Sequence, residues 1–214
     1  MSATIETSRK PDAARTRQDI LDVARAEFTE HGLAGARVDA IAEKTRTTKR
    51  MIYYYFGSKE GLYTTVLEQA YAGIRTAEAE LDLDNLDPET GLRRLIEFTF
   101  DYHDSHPDFV RLVAVENIHQ GQFLARMDKI QDVNANALKT LSTILEKGRA
   151  QGVFRDDVTP VEIHLMISGL CFHRVSNRST FGTIFRIDLT DPEVGKRHRK
   201  MVADAVILYV KHRA

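Results

Sequence analysis

The chain has 214 residues, 43% of them hydrophobic and 29% charged, with a net charge of −1. That composition supports a sizeable globular core and excludes a polycation, so any nucleic-acid surface must be local. A single cysteine, Cys171, excludes an internal disulfide, residues 1–12 lack the apolar run of a signal peptide, and no apolar stretch approaches the ~18 residues of a membrane helix.

In chain order, residues 1–13 read as a flexible arm, polar and rich in small side chains. A first helix is expected from about Ala14 to His31, where Ile20, Val23, Ala24 and Phe28 recur on one face and Gly32 supplies a stop. A short helix over Val38–Lys44 and a third over about Thr48–Tyr55 follow, with Thr48 as N-cap and Gly57 as terminator. A long fourth helix runs from Lys59 to about Leu81, with Leu62, Val66 and Ala70 inward. Prolines place the starts of the next two, Pro88 to Ser105 and Pro107 to Ile118. The spacing then predicts one helix over 123–151, another from Pro160 to Asn177, a loop or short turns over 178–191, and a last helix from Pro192 to His212. No segment alternates as a strand does. The fold class is all-α: a three-helix domain over 14–60, then a larger helical domain over 61–214.

Three short helices within about 60 residues, the last two joined by a tight turn, form the pattern of a helix-turn-helix. Residues 1–60 carry a net +2 and the remainder −3, and Arg46, Lys49, Arg50 and Lys59 occur with no acidic residue between Glu43 and Glu60. Consecutive Tyr53, Tyr54 and Tyr55 point about 100° apart on a helix, so they cannot all be core. With Ile52 and Phe56 inward, Tyr53 and Tyr54 can offer hydroxyls to DNA. Lys49 and Arg50 sit in a helical first turn, where cations oppose the dipole and an external anion would relieve them.

The stretches Ile41-Ala42-Glu43-Lys44, Thr48-Lys49-Arg50-Met51-Ile52-Tyr53-Tyr54-Tyr55-Phe56 and Ser58-Lys59-Glu60-Gly61-Leu62 resemble the DNA-binding domain of the TetR/AcrR family of regulators. The resemblance covers roughly residues 14–68. It implies a homodimeric, cytoplasmic helix-turn-helix regulator, a repressor released from double-stranded operator DNA by a small-molecule effector. It further implies DNA contacts from Arg37, Thr47, Thr48, Lys49, Tyr53 and Tyr54, and a phosphate contact from Lys59. Arg46 stands where the family usually has glycine, so a left-handed backbone there would be strained, and the Arg46 side chain could itself reach DNA. Arg37 replaces the usual Ser or Thr cap of the second helix.

In the second half, Ile163, Met166, Ile167, Leu170, Cys171 and Val175 make one apolar stripe, and Leu165, Gly169 and Phe172 another. Met201, Ala205, Leu208 and Tyr209 make a stripe on the last helix. These stripes either fill the monomer core or pair two protomers; the resemblance favours pairing through Ile163, Met166, Ile167, Leu170, Met201, Ala205, Leu208 and Tyr209. Asn134 and His173 interrupt apolar faces, either as hydrogen-bonded core residues or, because the resemblance implies a small-molecule pocket in this domain, as effector contacts, with Phe98, Tyr102, Phe109 and Glu116 as further candidate lining. The competing class is an α-helical metal-dependent enzyme. Glu116 and His119 have Glu-x-x-His spacing and His103 and His106 lie three apart, but the repeated motif of a di-metal bundle is missing. No nucleotide-binding or hydrolase motif occurs either, so no cofactor, metal or enzymatic activity is expected.

Overall fold

The computed structural model describes residues 13–127 and 130–211, with the Val133 side chain left aside. The arm expected over 1–13 lies outside them, apart from Ala13, which opens the first helix. Ten α-helices and no strand occur among the described residues: α1 Ala13–Gly35, α2 Val38–Lys44, α3 Lys49–Phe56, α4 Lys59–Ala79, α5 Pro88–Ser105, α6 Pro107–Ile118, α7 Ile130–Ala150, α8 Pro160–Ser176, α9 Arg178–Phe185 and α10 Pro192–Lys211. The chain forms two compact units that divide after Val66, a few residues later than expected, so the first two turns of α4 count with the first unit.

In the first unit, Ile20, Ala24 and Phe28 of α1, Ile41 of α2, Ile52 of α3 and Leu62 of α4 are buried, as helical spacing predicts. Phe28 meets Tyr63 edge-on at 5.1 Å between ring centres. The α1 helix is broken at Gly32, whose φ of 65° suits glycine. Gly61 answers a different need: a Cβ there would lie 2.1 Å from the Phe56 carbonyl oxygen, so only glycine lets α3 and α4 join this closely.

In the second unit, α5, α7, α8 and α10 share one core that includes Leu92, Ile96, Leu145, Ile163, Cys171 and Val206. Helix starts follow their caps. Asp87 accepts from the Thr90 amide before Pro88, and Thr159 and Glu162 form a reciprocal capping box around Pro160.

Two expectations are corrected. The helix expected over 123–151 is interrupted: residues Leu124–Arg126 form a 3-10 turn and Met127 is extended, with α7 starting only at Ile130. Gln120 and Gly121 both have positive φ, and the buried Glu116 carboxylate accepts from the Phe123 and Leu124 amides at 2.8 and 3.0 Å, which fixes the turn. The segment 178–191, expected as a loop or short turns, contains the two-turn helix α9. That helix buries none of its residues, is held locally by a Phe181–Phe185 ring contact at 4.5 Å, and ends at a left-handed Arg186.

Candidate nucleic-acid interface and ligand cavity

The turn between α2 and α3 is built by hydrogen bonds from its own backbone. The Arg46 amide donates to the Glu43 carbonyl at 3.1 Å and the Thr47 amide to the Ala42 carbonyl at 3.0 Å. Arg46 takes φ of 52°, the left-handed conformation that its position implied. Its side chain is exposed. Thr48 caps α3, its hydroxyl accepting from the Met51 amide at 3.3 Å.

The missing cap of α2 is replaced from a distance. The Arg37 side chain makes no cap; instead its backbone amide donates to Oε1 of Glu27, and Lys44 Nζ donates to Oε2, each at 3.1 Å. Burial alone would raise the Glu27 carboxyl, but the Arg37 amide and the Lys44 and His31 charges outweigh it and hold Glu27 below the ordinary carboxylate value. Glu27 thus ties α1 to both ends of α2, a role that sequence spacing did not single out. The available signal was an acid, three residues after Ala24 and next to Phe28, on an otherwise apolar face.

On α3, Ile52 and Phe56 face inward, while Tyr53 is half-exposed and Tyr54 is 78% exposed. Lys49 and Arg50 stand exposed in the first turn, as do Arg37 and Thr48 nearby, with Thr47 half-buried. Lys49 pairs with Asp39 of α2 at 2.5 Å, and Lys59 donates to the Ala34 carbonyl at 3.3 Å. A lysine has three donors, so both ammonium groups keep N–H groups for an outside acceptor. One surface of the first unit therefore gathers cations, hydroxyls and two tyrosine tips around the start of α3.

The second unit contains a cavity of about 310 Å³ bounded by α4 to α8. Its apolar wall includes Tyr71, Ile74, Leu95, Phe109, Val113 and Phe172, and its polar groups include Arg75, Glu78, Thr99, His103, Asn117, Asn134 and His164. Arg75 and Glu78 are ion-paired and largely buried. Burial, then Arg75, push His103 down to about 4, against a partial offset from the Cys171 carbonyl, so the imidazole is neutral at pH 7. The same two causes lower His164.

Of the six residues expected to contact an effector, Phe109 and Asn134 line this cavity, and Asn134 also donates to its own helix at Ile130. The other four do not. Phe98 and Tyr102 line a separate groove with Glu97 and Arg199, and Tyr102 stacks on His106 at 4.0 Å. Glu116 turns Oε1 to the Phe123 and Leu124 amides. His173 borders a hollow with Leu170, Phe181 and His198. The residues that sequence reading missed, Arg75 above all, are visible as an i, i+3 charge pair beside the apolar Tyr71 and Ile74.

The expected dimer stripe is also revised. Ile163 and Ile167 are core, because α5 and α7 cover that side of α8. The outward apolar side carries Val161, Leu165 and Leu170 on α8, with Met201, Leu208 and Tyr209 on α10; Met166 and Ala205 lie between. The enzyme alternative finds no support. Glu116 serves a turn, no group of three or more metal-ligating side chains gathers among the described residues, and burial pushes the Cys171 thiol up to about 12, where it is inert. No described helix is long and apolar enough to cross a membrane.

The profile described as bacterial regulatory proteins of the tetR family matches residues 20–66, and that of the tetracyclin repressor-like C-terminal domain matches residues 88–206. The HTH-type transcriptional repressor NicS of Pseudomonas putida is 40% identical over 199 residues, spanning 93% of this chain and 94% of its own. The HTH-type transcriptional repressor AcnR of Corynebacterium glutamicum is 24% identical over 85% of this chain and 94% of its own. Among solved structures, the fatty acid degradation regulator FadR from Bacillus halodurans shares the fold, with a TM-score of 0.70 at 21% identity over 97% of this chain and 100% of its own. The chain belongs to the TetR family of helix-turn-helix transcriptional regulators, which bind DNA as dimers and are not enzymes.

Proposed function

We propose that this regulator is a cytoplasmic repressor that grips operator DNA as a homodimer and lets go when a small molecule fills the cavity among α4–α8. The observation that carries this reading is the cavity itself: mostly apolar, with a few polar groups, near the small end of the ~300–1,000 Å³ range of ligand sites. The exposed cations and hydroxyls of α2 and α3 support the DNA role. Lys49, Arg50, Tyr53 and Tyr54 enter the major groove, while Arg37, Arg46, Thr47, Thr48 and Lys59 hold phosphates. The outward apolar faces of α8 and α10 pair with those of a second copy, around Leu170, Met201, Leu208 and Tyr209.

Release requires that the ligand bind one protomer arrangement more tightly than the other. The α4 helix begins at Lys59 in the first unit and, in the second, carries Tyr71, Ile74, Arg75 and Glu78 into the cavity wall. Linkage then requires operator DNA to weaken effector binding by the same factor. Asn134→Leu tests the site, because among the described residues its amide bonds only its own helix. The substitution should leave melting temperature and apo DNA affinity nearly intact and weaken effector-driven release. An unchanged response removes Asn134 from the site, and a joint loss of stability and DNA binding makes it a core residue instead.

A further inference from the structure

We propose that the cavity selects a small carboxylate with an apolar body, its two oxygens held on the Nε–Nη2 edge of Arg75. The proposal rests on the cavity being the effector site. Arg75 uses Nη1 for Glu78, while its Nε is buried with no partner. Among the described residues, Nη2 makes no hydrogen bond either. The guanidinium therefore keeps one complete edge of parallel N–H donors unused by the described residues, the geometry that matches two carboxylate oxygens at once.

Charge favours the same choice. Burial already pushes the Glu78 carboxyl up towards its neutral form. The pair therefore gives way on the acidic side when an anion arrives. After burial, Arg75 is the next cause that lowers both His103 and His164, so its positive charge is felt at both of these walls. A cationic ligand would add a second positive charge beside a permanent one. The rest of the wall, with Tyr71, Phe109, Val113 and Phe172, supplies an apolar surface for the body of the ligand.

The test uses the full-length dimer and two pairs of probes, benzoate with benzamide and phenylacetate with phenylacetamide, titrated by calorimetry. The acids should bind at least about tenfold more tightly than the amides of the same shape. Glu78→Gln should strengthen acid binding about tenfold further and leave the amides unmoved. Arg75→Gln in the Glu78→Gln background leaves no unpaired buried charge and should erase the preference. Amides binding as tightly as acids, no acid binding at millimolar concentration, or a preference that survives in the double variant would each overturn the proposal. The same probes are added to the protein on its DNA. Release by amides and acids alike sustains the effector site and overturns the carboxylate. Acid binding with the Arg75 dependence but without release sustains the carboxylate and overturns the effector site.

Discussion

Arg46 occupies a left-handed position, φ 52°, and no hydrogen bond or ion pair holds its side chain among the described residues. The left-handed conformation costs an L-residue about 1–2 kcal/mol that glycine does not spend. Glycine gives back roughly 0.5–1 kcal/mol of this through its larger unfolded-state entropy. Arg46→Gly should therefore stabilise the chain by about 0.5–1 kcal/mol and raise the melting temperature by roughly 1–4 °C for a protein of this size. DNA binding should move the opposite way. If each Arg46 neutralises one phosphate, a dimer loses two contacts, and the slope of log affinity against log salt falls by about 1.8. Calorimetry of the free protein and fluorescence anisotropy on labelled duplex over a salt series measure the two effects separately. A lower melting temperature would refute the strain argument. An unchanged affinity and slope would refute the phosphate contact.

Lys59→Ala should weaken binding to operator and random DNA alike and reduce the salt slope by about 0.9 per protomer, since a phosphate contact carries no base information. Loss of operator affinity alone would assign Lys59 a different role. Leu208→Glu places a charge on the exposed apolar side of α10 and removes about 1.5–3 kcal/mol of burial from each protomer, so the dimer should weaken roughly 10²–10⁴-fold by sedimentation. A dimer of wild-type strength would place the interface elsewhere. His103 gives a pH prediction. The unfolded imidazole takes up a proton below about 6.5, while the folded one resists until about 4. Its contribution is therefore intact above the upper value and is lost as pH falls through this window, by roughly 3 kcal/mol in all. In His103→Gln, denaturant unfolding at pH 7 and pH 5 should show a smaller difference than in the wild type.

Elements with local punctuation were legible in the sequence. Pro88, Pro107, Pro160 and Pro192 each open a helix, Gly32 and Gly57 each mark a break, and Thr48 caps α3. The outward positions of α3 were legible for the same reason, since a short helix with Ile52 and Phe56 inward leaves its remaining positions outward. What failed depended on tertiary partners. Phe123, Met127 and Ile130 repeat with helical spacing, yet the buried Glu116 carboxylate, seven positions before Phe123, diverts the chain. Apolar stripes on α8 do not declare which side meets α5 and α7, so the sequence alone does not separate buried Ile163 and Ile167 from exposed Leu165 and Leu170. The cavity was least legible, because its key polar residues lie on α4, α5 and α8 and converge only in the folded unit.

The central claim is that α3 reads DNA from a symmetric dimer. Selection of binding sites from a random duplex pool by the purified protein tests it most directly. The account predicts enrichment of an inverted repeat whose half-sites are centred about one helical turn, ~34–36 Å, apart. It also predicts that the enrichment vanishes when Lys49 and Tyr54 are both replaced by alanine. No enriched sequence, an enriched site without two-fold symmetry, or a repeat still selected by the double variant would contradict it.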